Sequence, residues 1–357
     1  MNESWSLSLL NSTKTPMKNN TTSRSTQKRP LNFALCIALL LTFSVSFAQD
    51  IKAPSLAQGY PNKPIRLVVP FIAGSLVDVM GRAMAEEMQN TWKQSVVIDN
   101  KAGASTLLAA KMVATSPPDG YTLFLPTVTT FSMAPQLNPK AGIDPSKELT
   151  PIARLAITNL FLTTHPSLGT KNMKDWIELM RKNPGKFSYS SSGNGSPQHI
   201  FMETLKKQLN LDIVHIPYKG SNSGMLDLLS GKVDMAFIDG TLIAPNIKTG
   251  ALVVLGSSMS KRSTLLPNVP PISDTVPGFD WSGWIGFAGP PNMPQPIVEK
   301  IADFIKHYQA TPAFASVLEK AGIEPAEPIS PNDMADFITK ENKRWAPAIK
   351  ISGATID

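Results

Sequence analysis

The sequence predicts an α/β protein of two lobes. Short β-branched runs alternate with amphipathic helical patterns from residue 65 to about residue 125, and the alternation starts again near residue 186. Once a targeting segment is removed, about 310 residues remain, which is more than one hydrophobic core usually supports. No later stretch reaches the roughly 18 consecutive apolar residues of a membrane-spanning helix. We therefore expect two α/β lobes in a soluble mature chain.

The first lobe begins with a buried strand and an amphipathic helix. Residues 65–70 are apolar and β-branched and end in a proline, which is typical of a buried strand. A loop over residues 71–76 follows, and Asp78 marks the start of the helix. One face of this helix is apolar because large side chains recur every four residues, at Met80, Met84, Met88 and Trp92. This stripe is expected to be core.

Two further strands follow in the same lobe. Residues 96–98 predict one strand, and a helix then runs to about residue 115. Residues 121–125 predict the next strand, which is entered by the turn Pro117-Pro118-Asp119-Gly120. Repeated alternation of strand and helix favours a parallel sheet.

His165-Pro166 marks a natural crossing into the second lobe. A capped helix over residues 172–181 precedes a new series of predicted strands, at residues 186–190, 212–217, 233–238 and 252–257. Residues 280–288 predict a return path to the first lobe. Helices over about residues 297–308 and 333–349 complete the chain.

The stretch from Ser190 to His199 carries the clearest functional signal. It predicts a strand that enters a Gly/Ser loop and then a helix, with Pro197 at the first helical position, where proline is tolerated. Such a helix start has unpaired N–H groups and partial positive charge, so it favours an anion such as a carboxylate or phosphate. A plain turn and helix cap remains the alternative, because Ser and Gly are ordinary cap residues.

The first 48 residues predict a secretory signal peptide. Lys28-Arg29 precede an apolar run that ends in the small-residue boundary Ser46-Phe47-Ala48. Met17 is a second possible start codon. The only cysteine, Cys36, lies inside the run, so the mature chain is expected to have neither a disulfide nor a zinc–thiolate site.

Charge and motifs argue against several classes of function. The net charge is +7, but residues 1–48 hold five Lys/Arg and one Glu, which leaves 29 against 26 and a net charge of +3. Nucleic-acid binding is therefore not expected. The four histidines lack metal-ligand spacing, and no Walker loop, Rossmann fingerprint or nucleophile elbow occurs. We expect no metal, no cofactor and no catalytic residue.

A series of short motifs runs in order from residue 60 to residue 355. In the first part of the chain they are Tyr60-Pro61, Val69-Pro70-Phe71, Gly74 with Asp78, Asn100 with Gly103-Ala104, and Pro118-Asp119-Gly120-Tyr121-Thr122-Leu123. In the second part they are Ser191-Ser192-Gly193-Asn194-Gly195-Ser196, Gln198-His199, Pro217-Tyr218-Lys219-Gly220, Val233-Asp234 with Asp239, Lys261-Arg262-Ser263, Leu266-Pro267-Asn268-Val269-Pro270, and Trp284 with Gly286. Taken together, this series resembles the Bug-type extracytoplasmic solute receptors of tripartite tricarboxylate transporters.

The resemblance implies a type II periplasmic binding protein fold, in which two α/β lobes joined by crossover strands close on a ligand in the cleft between them. It implies that residues 49–163 and 283–357 form one lobe and residues 164–282 the other. It also implies that two loops hold a ligand carboxylate, namely residues 71–75 and residues 191–196. Both loops end strands and open helices, where open α/β sheets usually bind ligands.

The first of these loops departs from the family pattern. It is usually rich in proline and glycine, with a threonine before the aspartate, but here it reads Ile72-Ala73-Gly74-Ser75-Leu76-Val77-Asp78. Leu76 and Val77 reduce backbone freedom and remove a hydrogen-bond donor, so we expect altered hydration and an altered ligand preference. Asp78 is expected to cap its helix rather than contact the ligand.

The resemblance then gives a set of predicted ligand-binding residues. They are Phe71, Ile72, Ala73, Gly74, Ser75, Thr129, Ser191, Ser192, Gly193, Gly195, Ser196, His199 and Asp239. His199 enters this set as a buried hydrogen-bonding residue. Asp239 is expected either to contact a ligand ammonium or hydroxyl or to hydrogen-bond within its loop, and both alternatives stay open.

The predicted function is that of a monomeric periplasmic receptor for a small carboxylate. It delivers this ligand to the membrane subunits of a tripartite tricarboxylate-type secondary transporter. One alternative is a ligand sensor that acts on a membrane histidine kinase, and another is a secreted α/β hydrolase. The sequence does not specify which carboxylate is bound.

Overall fold

The computed structural model describes residues 57–354, apart from the side chains of residues 241 and 244. The predicted signal peptide, Cys36 and the choice between Met1 and Met17 lie outside the described residues. In chain order the strands are β1 (Ile65–Val69), β2 (Val96–Asn100), β3 (Thr122–Phe124), β4 (Thr150–Thr158), β5 (Leu160–Thr164), β6 (Ser188–Ser191), β7 (Val214–Pro217), β8 (Met235–Asp239), β9 (Val253–Ser257), β10 (Gly283–Gly289) and β11 (Glu324–Pro325).

Helices cover both sheets that these strands form. They are α1 (Leu76–Trp92), α2 (Leu107–Ala114), α3 (Ala134–Leu137), α4 (Pro145–Glu148), α5 (Met173–Lys182), α6 (Pro197–Leu209), α7 (Ser221–Leu229), α8 (Gly240–Lys248), α9 (Gln295–Gln309), α10 (Pro312–Ala321) and α11 (Pro331–Ser352). The sequence pattern did not indicate α3, α4, α8 or α10.

The first sheet has six strands in the order β11-β4-β10-β3-β1-β2. β1 pairs in parallel with β2 and β3, whereas β10 runs antiparallel to both β3 and β4. The three strands predicted from the strand–helix alternation, β1, β2 and β3, are therefore parallel as expected, although the sheet as a whole is mixed. The sheet is mixed because the chain returns from the second sheet as β10 and enters between β3 and β4.

The second sheet has five strands in the order β7-β6-β8-β5-β9. β6 pairs in parallel with β7 and β8, while β5 runs antiparallel to β8 and β9. Two mixed sheets flanked by helices confirm the predicted two-lobe α/β class.

The chain changes sheet at Asn159, the single residue between β4 and β5. This buried amide donates to Ser257 Oγ at 3.1 Å and accepts from Ser258 Oγ at 3.2 Å, so the two crossing segments are bonded together. Ser258 N also donates to Leu160 O at 2.8 Å. The predicted first boundary, between residues 163 and 164, lies later than this change of sheet because the whole of β5 already pairs within the second sheet.

Two local predictions agree with the structure, namely the apolar face of α1 and the start of α6, whereas the predicted start of α1 does not. The predicted apolar stripe is confirmed, since Met80, Met84 and Met88 are fully buried. Pro197 is the first residue of α6, as predicted, and Ser196 caps that helix. Asp78 does not mark the start of α1, because Ser75 is its N-cap residue and its side-chain oxygen accepts from Asp78 N at 3.2 Å.

None of the helices in the described range is both long enough and apolar enough to span a bilayer.

Candidate ligand-binding cleft

A cleft of about 200 Å³ lies between the two sheets, where several strands end and helices begin. Five of the predicted site residues line it: Phe71, Ser75, Thr129, Ser192 and Asp239. The other eight are not part of its lining; they are Ile72, Ala73, Gly74, Ser191, Gly193, Gly195, Ser196 and His199. The cleft is thus lined by both ends of the first loop, Phe71 and Ser75, and by the strand end of the second loop, Ser192, rather than by the whole loops.

The first loop, residues 71–75, is held from behind by Asp78. The Asp78 carboxylate accepts from Gly74 N at 2.8 Å and from Asn100 Nδ2 at 2.9 Å, and it pairs with Arg82 at 2.9 Å. Burial disfavours its charge, but the hydrogen bonds from Arg82, Gly74 and Asn100 outweigh that effect and lower the pKa of Asp78. Asp78 therefore organises the loop and does not line the cleft.

Side chains of the first loop offer little polarity to the cleft. The Ser75 hydroxyl oxygen is already an acceptor for the helix cap, and Ile72 points outward with 71% of its surface exposed. Leu76 and Val77, which the site prediction omitted, line the cleft together with Phe71. The first loop thus presents a mostly apolar wall.

The second loop, residues 191–196, presents a polar wall that continues into two helices. Ser192 Oγ donates to Gln198 Oε1 at 2.9 Å, and Gln198 Nε2 donates to Ser221 Oγ at 3.2 Å. All three side chains line the cleft. Gln198 and Ser221 were not among the predicted site residues. Gln198 belongs to the motif Gln198-His199, and Ser221 directly follows the motif of residues 217–220.

Two stacked histidines support the second loop from its buried side. His199 Nδ1 accepts from Gly195 N at 3.1 Å, and its ring stacks on His215 with a centroid distance of 4.1 Å. His215 Nε2 lies 2.7 Å from Ser191 Oγ, which in turn donates to Gly193 O. These contacts explain why Ser191 and His199 turn away from the cleft.

Both imidazoles are neutral at pH 7. Burial lowers the pKa of His199, and burial together with the neighbouring His199 lowers the pKa of His215 to about 4. They therefore act as hydrogen-bonding supports and supply no positive charge to the cleft.

Asp239 ends β8 and immediately precedes α8. Its carboxyl lines the cleft and forms no hydrogen bond or ion pair with another of the described residues. Burial raises the pKa of Asp239 to about 6. A carboxyl group without a protein partner is free to interact with whatever occupies the cleft.

Four helices begin at the cleft. α1, α6, α7 and α8 each place a residue of their first turn or their cap in its lining, and each helix start carries about half a positive charge. No Lys, Arg or His is among the lining residues within the described part of the chain. The arrangement suits an anion that is held by neutral donors and helix dipoles.

The floor of the cleft is formed near the crossing segments. Gly283 and Thr158 face each other there, and a Cβ atom at Gly283 would lie 2.2 Å from Thr158 Oγ1. Only glycine fits this position unless the Thr158 side chain moves. Residues 57–354 contain no group of three or more His, Cys, Asp or Glu side chains that could hold a metal ion.

Comparisons with known proteins point to one family. The family model described as tripartite tricarboxylate transporter family receptor (TctC) matches residues 80–354. A UPF0065 protein of Bordetella pertussis is 34% identical over 322 residues, which cover 89% of this chain and 95% of that protein.

Two solved structures share the fold over most of the chain. Rpa4515 of R. palustris, described with adipate, has a TM-score of 0.75 at 29% identity and is covered to 99%, with 83% of this chain aligned. The periplasmic binding protein BugD has a TM-score of 0.72 at 29% identity and is covered to 99%, again with 83% of this chain aligned.

Proposed function

The chain belongs to the tripartite tricarboxylate transporter receptor family, with Bug proteins among its relatives, and on that premise we propose that it is a periplasmic receptor for a small carboxylate. In this proposal it acts without catalysis and as a monomer, and it delivers the ligand to the membrane subunits of a tripartite tricarboxylate-type secondary transporter. The observation that carries the proposal is the convergence of four helix starts on a cleft lined, within the described residues, by no cationic side chain.

The ligand carboxylate lies against the polar wall of Ser192, Gln198 and Ser221. Its donors are the Ser221 hydroxyl, the second N–H of Gln198 Nε2 and the free N–H groups at the starts of α6 and α7, while Ser192 orients the Gln198 amide by donating to its Oε1. Each hydrogen bond to a charged group contributes about 1.5–3 kcal/mol. Several such bonds are enough to hold a carboxylate without a formal positive charge.

Ligand binding closes the two lobes about the crossing segments. The sequence predicts a hinge at crossover segments near Thr164 and Trp284, but we assign the pivot to Asn159 and Ser258, which are hydrogen-bonded to each other where the chain changes sheet. Thr164 ends β5 on the far side of the second sheet, and Trp284 lies within β10. The closed form offers the membrane subunits a surface that the empty form lacks.

A thermal-shift screen tests the carboxylate proposal. Mono-, di- and tricarboxylates, amino acids and aromatic acids are added to the chain, each beside its neutral amide as a matched control. A ligand at about 100 times its Kd stabilises the native state by about 2.7 kcal/mol, which raises the Tm by several degrees. The proposal requires stabilisation by at least one carboxylate and not by its amide. Equal stabilisation by acid and amide, or by no acid, contradicts it.

The sensor alternative uses the same cleft and differs only in the membrane partner. A neighbouring pair of genes for large and small membrane subunits supports the transporter, whereas a neighbouring histidine kinase gene supports the sensor.

One observation favours the hydrolase alternative, namely the 2.7 Å contact between Ser191 Oγ and His215 Nε2. Ser191 is buried and does not line the cleft, and the ring of His215 has no carboxylate partner among the described residues. A nucleophilic serine needs an accessible oxygen and an oriented base. Ester turnover by the purified chain that disappears in Ser191→Ala would favour the hydrolase over the receptor.

A further inference from the structure

The cleft has walls of opposite character. Its second-sheet side carries the bonded chain of Ser192, Gln198 and Ser221, whereas its first-sheet side carries Phe71 and the two residues after Ser75. From this asymmetry we propose that the ligand has one carboxylate and an apolar, aromatic body, and that Val77 and Asp239 select against a second carboxylate. This inference rests on the proposed function, since it names the class of carboxylate that the same cleft takes.

The polar wall can bind one carboxylate of the ligand. Its three side chains are joined by hydrogen bonds at 2.9 and 3.2 Å, which hold one N–H of Gln198 and the Ser221 hydroxyl available beside the starts of α6 and α7. The other hydroxyl side chains of the lining, Ser75, Thr127, Thr129 and Thr158, are not hydrogen-bonded to one another among residues 57–354, so they form no second chain of this kind. A second carboxylate on the ligand would therefore leave the polar wall and meet other groups.

The apolar wall is where a second carboxylate would be poorly accommodated. Leu76 and Val77 bring apolar side chains to the lining at the first turn of α1, and Val77 is only 6% exposed. Phe71 lies beside them, and Phe201 and Trp284 add two more aromatic rings to the lining. Burying a charge against such groups is unfavourable, whereas an aromatic ring gains from the contact.

Two further polar groups of the lining, Asp239 and Thr127, also favour a ligand with one carboxylate and a neutral body. Asp239 is the one charged side chain in the lining and has no cationic partner among the described residues. Its charge opposes every carboxylate in the cleft and opposes a dianion more strongly than a monoanion, so it favours a ligand whose body is neutral. Thr127 also lines the cleft, and its buried hydroxyl has no hydrogen-bond partner within residues 57–354, so it can accept one neutral polar substituent of the ligand.

Isothermal titration of the chain with phenylacetate and adipate tests the inference. We expect phenylacetate to bind at least about tenfold more tightly than adipate. Val77→Thr keeps the shape of the side chain and adds a hydroxyl, so it should reduce this preference about tenfold. The control is Val79→Thr, which makes the same change two residues further along α1 at an exposed position outside the lining. It should leave both affinities unchanged.

Asp239→Asn removes the charge at nearly constant volume and provides a second route to the same result. Adipate binding should improve about tenfold and should gain more than phenylacetate binding does. Tighter adipate than phenylacetate binding in the unsubstituted chain, or no change of preference in either variant, overturns the inference and leaves the proposed carboxylate receptor intact. Failure of the chain to bind any carboxylate in the thermal-shift screen instead overturns the proposed function.

Discussion

The two loops that enter the cleft differ in how they are supported and in what they present. A buried carboxylate, Asp78, organises the first loop, whereas two neutral imidazoles, His199 and His215, support the second. The first loop faces the cleft with apolar side chains, and the second with a hydrogen-bonded polar chain. Both loops connect a strand to a helix, but they present different surfaces to the cleft. One forms an apolar wall, and the other holds a charge.

The largest expected effect comes from removing the support of the first loop. Asp78→Ala leaves Gly74 N, Asn100 and Arg82 without their shared acceptor, so we expect a loss of about 2–3 kcal/mol in the free energy of unfolding. Urea denaturation at pH 7 measures this loss. Asp336→Ala, at an exposed position of α11, is the matched control and should stay within about 0.5 kcal/mol.

The pH dependence of this effect follows from the lowered pKa of Asp78. A lowered pKa adds stability above the ordinary pKa of about 3.9, and this stability is lost as the pH falls through the folded-state value. The difference between the unsubstituted chain and Asp78→Ala should therefore shrink below about pH 4. A constant difference down to about pH 2 would show that charge is not what supports the first loop.

As the pH falls, the support of the second loop should weaken at a higher pH than the support of the first loop. The pKa of His215 is lowered to about 4 in the folded chain. Between about pH 6.5 and pH 4 its imidazole is therefore protonated in the unfolded chain and neutral in the folded chain. We expect His215 to lower the free energy of unfolding by about 1–2 kcal/mol between about pH 7 and pH 5, and the raised pKa of Asp239 to offset part of this fall in the total. In His215→Phe, which keeps an aromatic ring against Tyr189, the fall should be smaller.

The exposed His307 on α9 provides the control for this pH effect. His307→Phe should keep the pH dependence of the unsubstituted chain. If His215→Phe and His307→Phe show equal slopes, the stacked imidazoles do not carry the acid sensitivity of the second loop.

The smallest expected effect separates two serines of the second loop. Ser196 Oγ accepts from His199 N as the cap of α6, so Ser196→Ala should cost about 1 kcal/mol of stability. Ser192 Oγ faces the cleft, so Ser192→Ala should weaken carboxylate binding about tenfold and change the Tm little. Calorimetry with a carboxylate from the screen, beside thermal melts, measures both. The assignment fails if Ser192→Ala lowers the stability and Ser196→Ala weakens carboxylate binding.

Most of the individual elements were predictable because their signals are local. The methionine stripe of α1 has a helical period, and Pro197 after a Gly/Ser loop marks the start of α6. The mixed first sheet was not predictable in this way, because the position of β10 depends on a strand that returns from another sheet. α8 was missed because it carries Pro245 in its interior, which ordinarily argues against a helix.

Within the site, the sequence identified both loops but only some of the side chains that line the cleft. Gln198 and Ser221 are 23 residues apart and meet only because α6 and α7 begin beside each other. Ser191 and Ser192 are neighbours of the same type, yet the first bonds to His215 and the second faces the cleft. No local pattern distinguishes them, because the strand geometry at the end of β6 sends successive side chains in opposite directions.

The sequence by itself determined two α/β lobes, a helix start suited to an anion, and a first loop that departs from its family. Those features depend on periodicity, on cap residues and on the types of neighbouring side chains. Only the tertiary structure decided that Val77 lines the cleft and that Asp239 has no partner there among the described residues. Burial and the meeting of distant segments set these properties, and neither is encoded within a single stretch of chain.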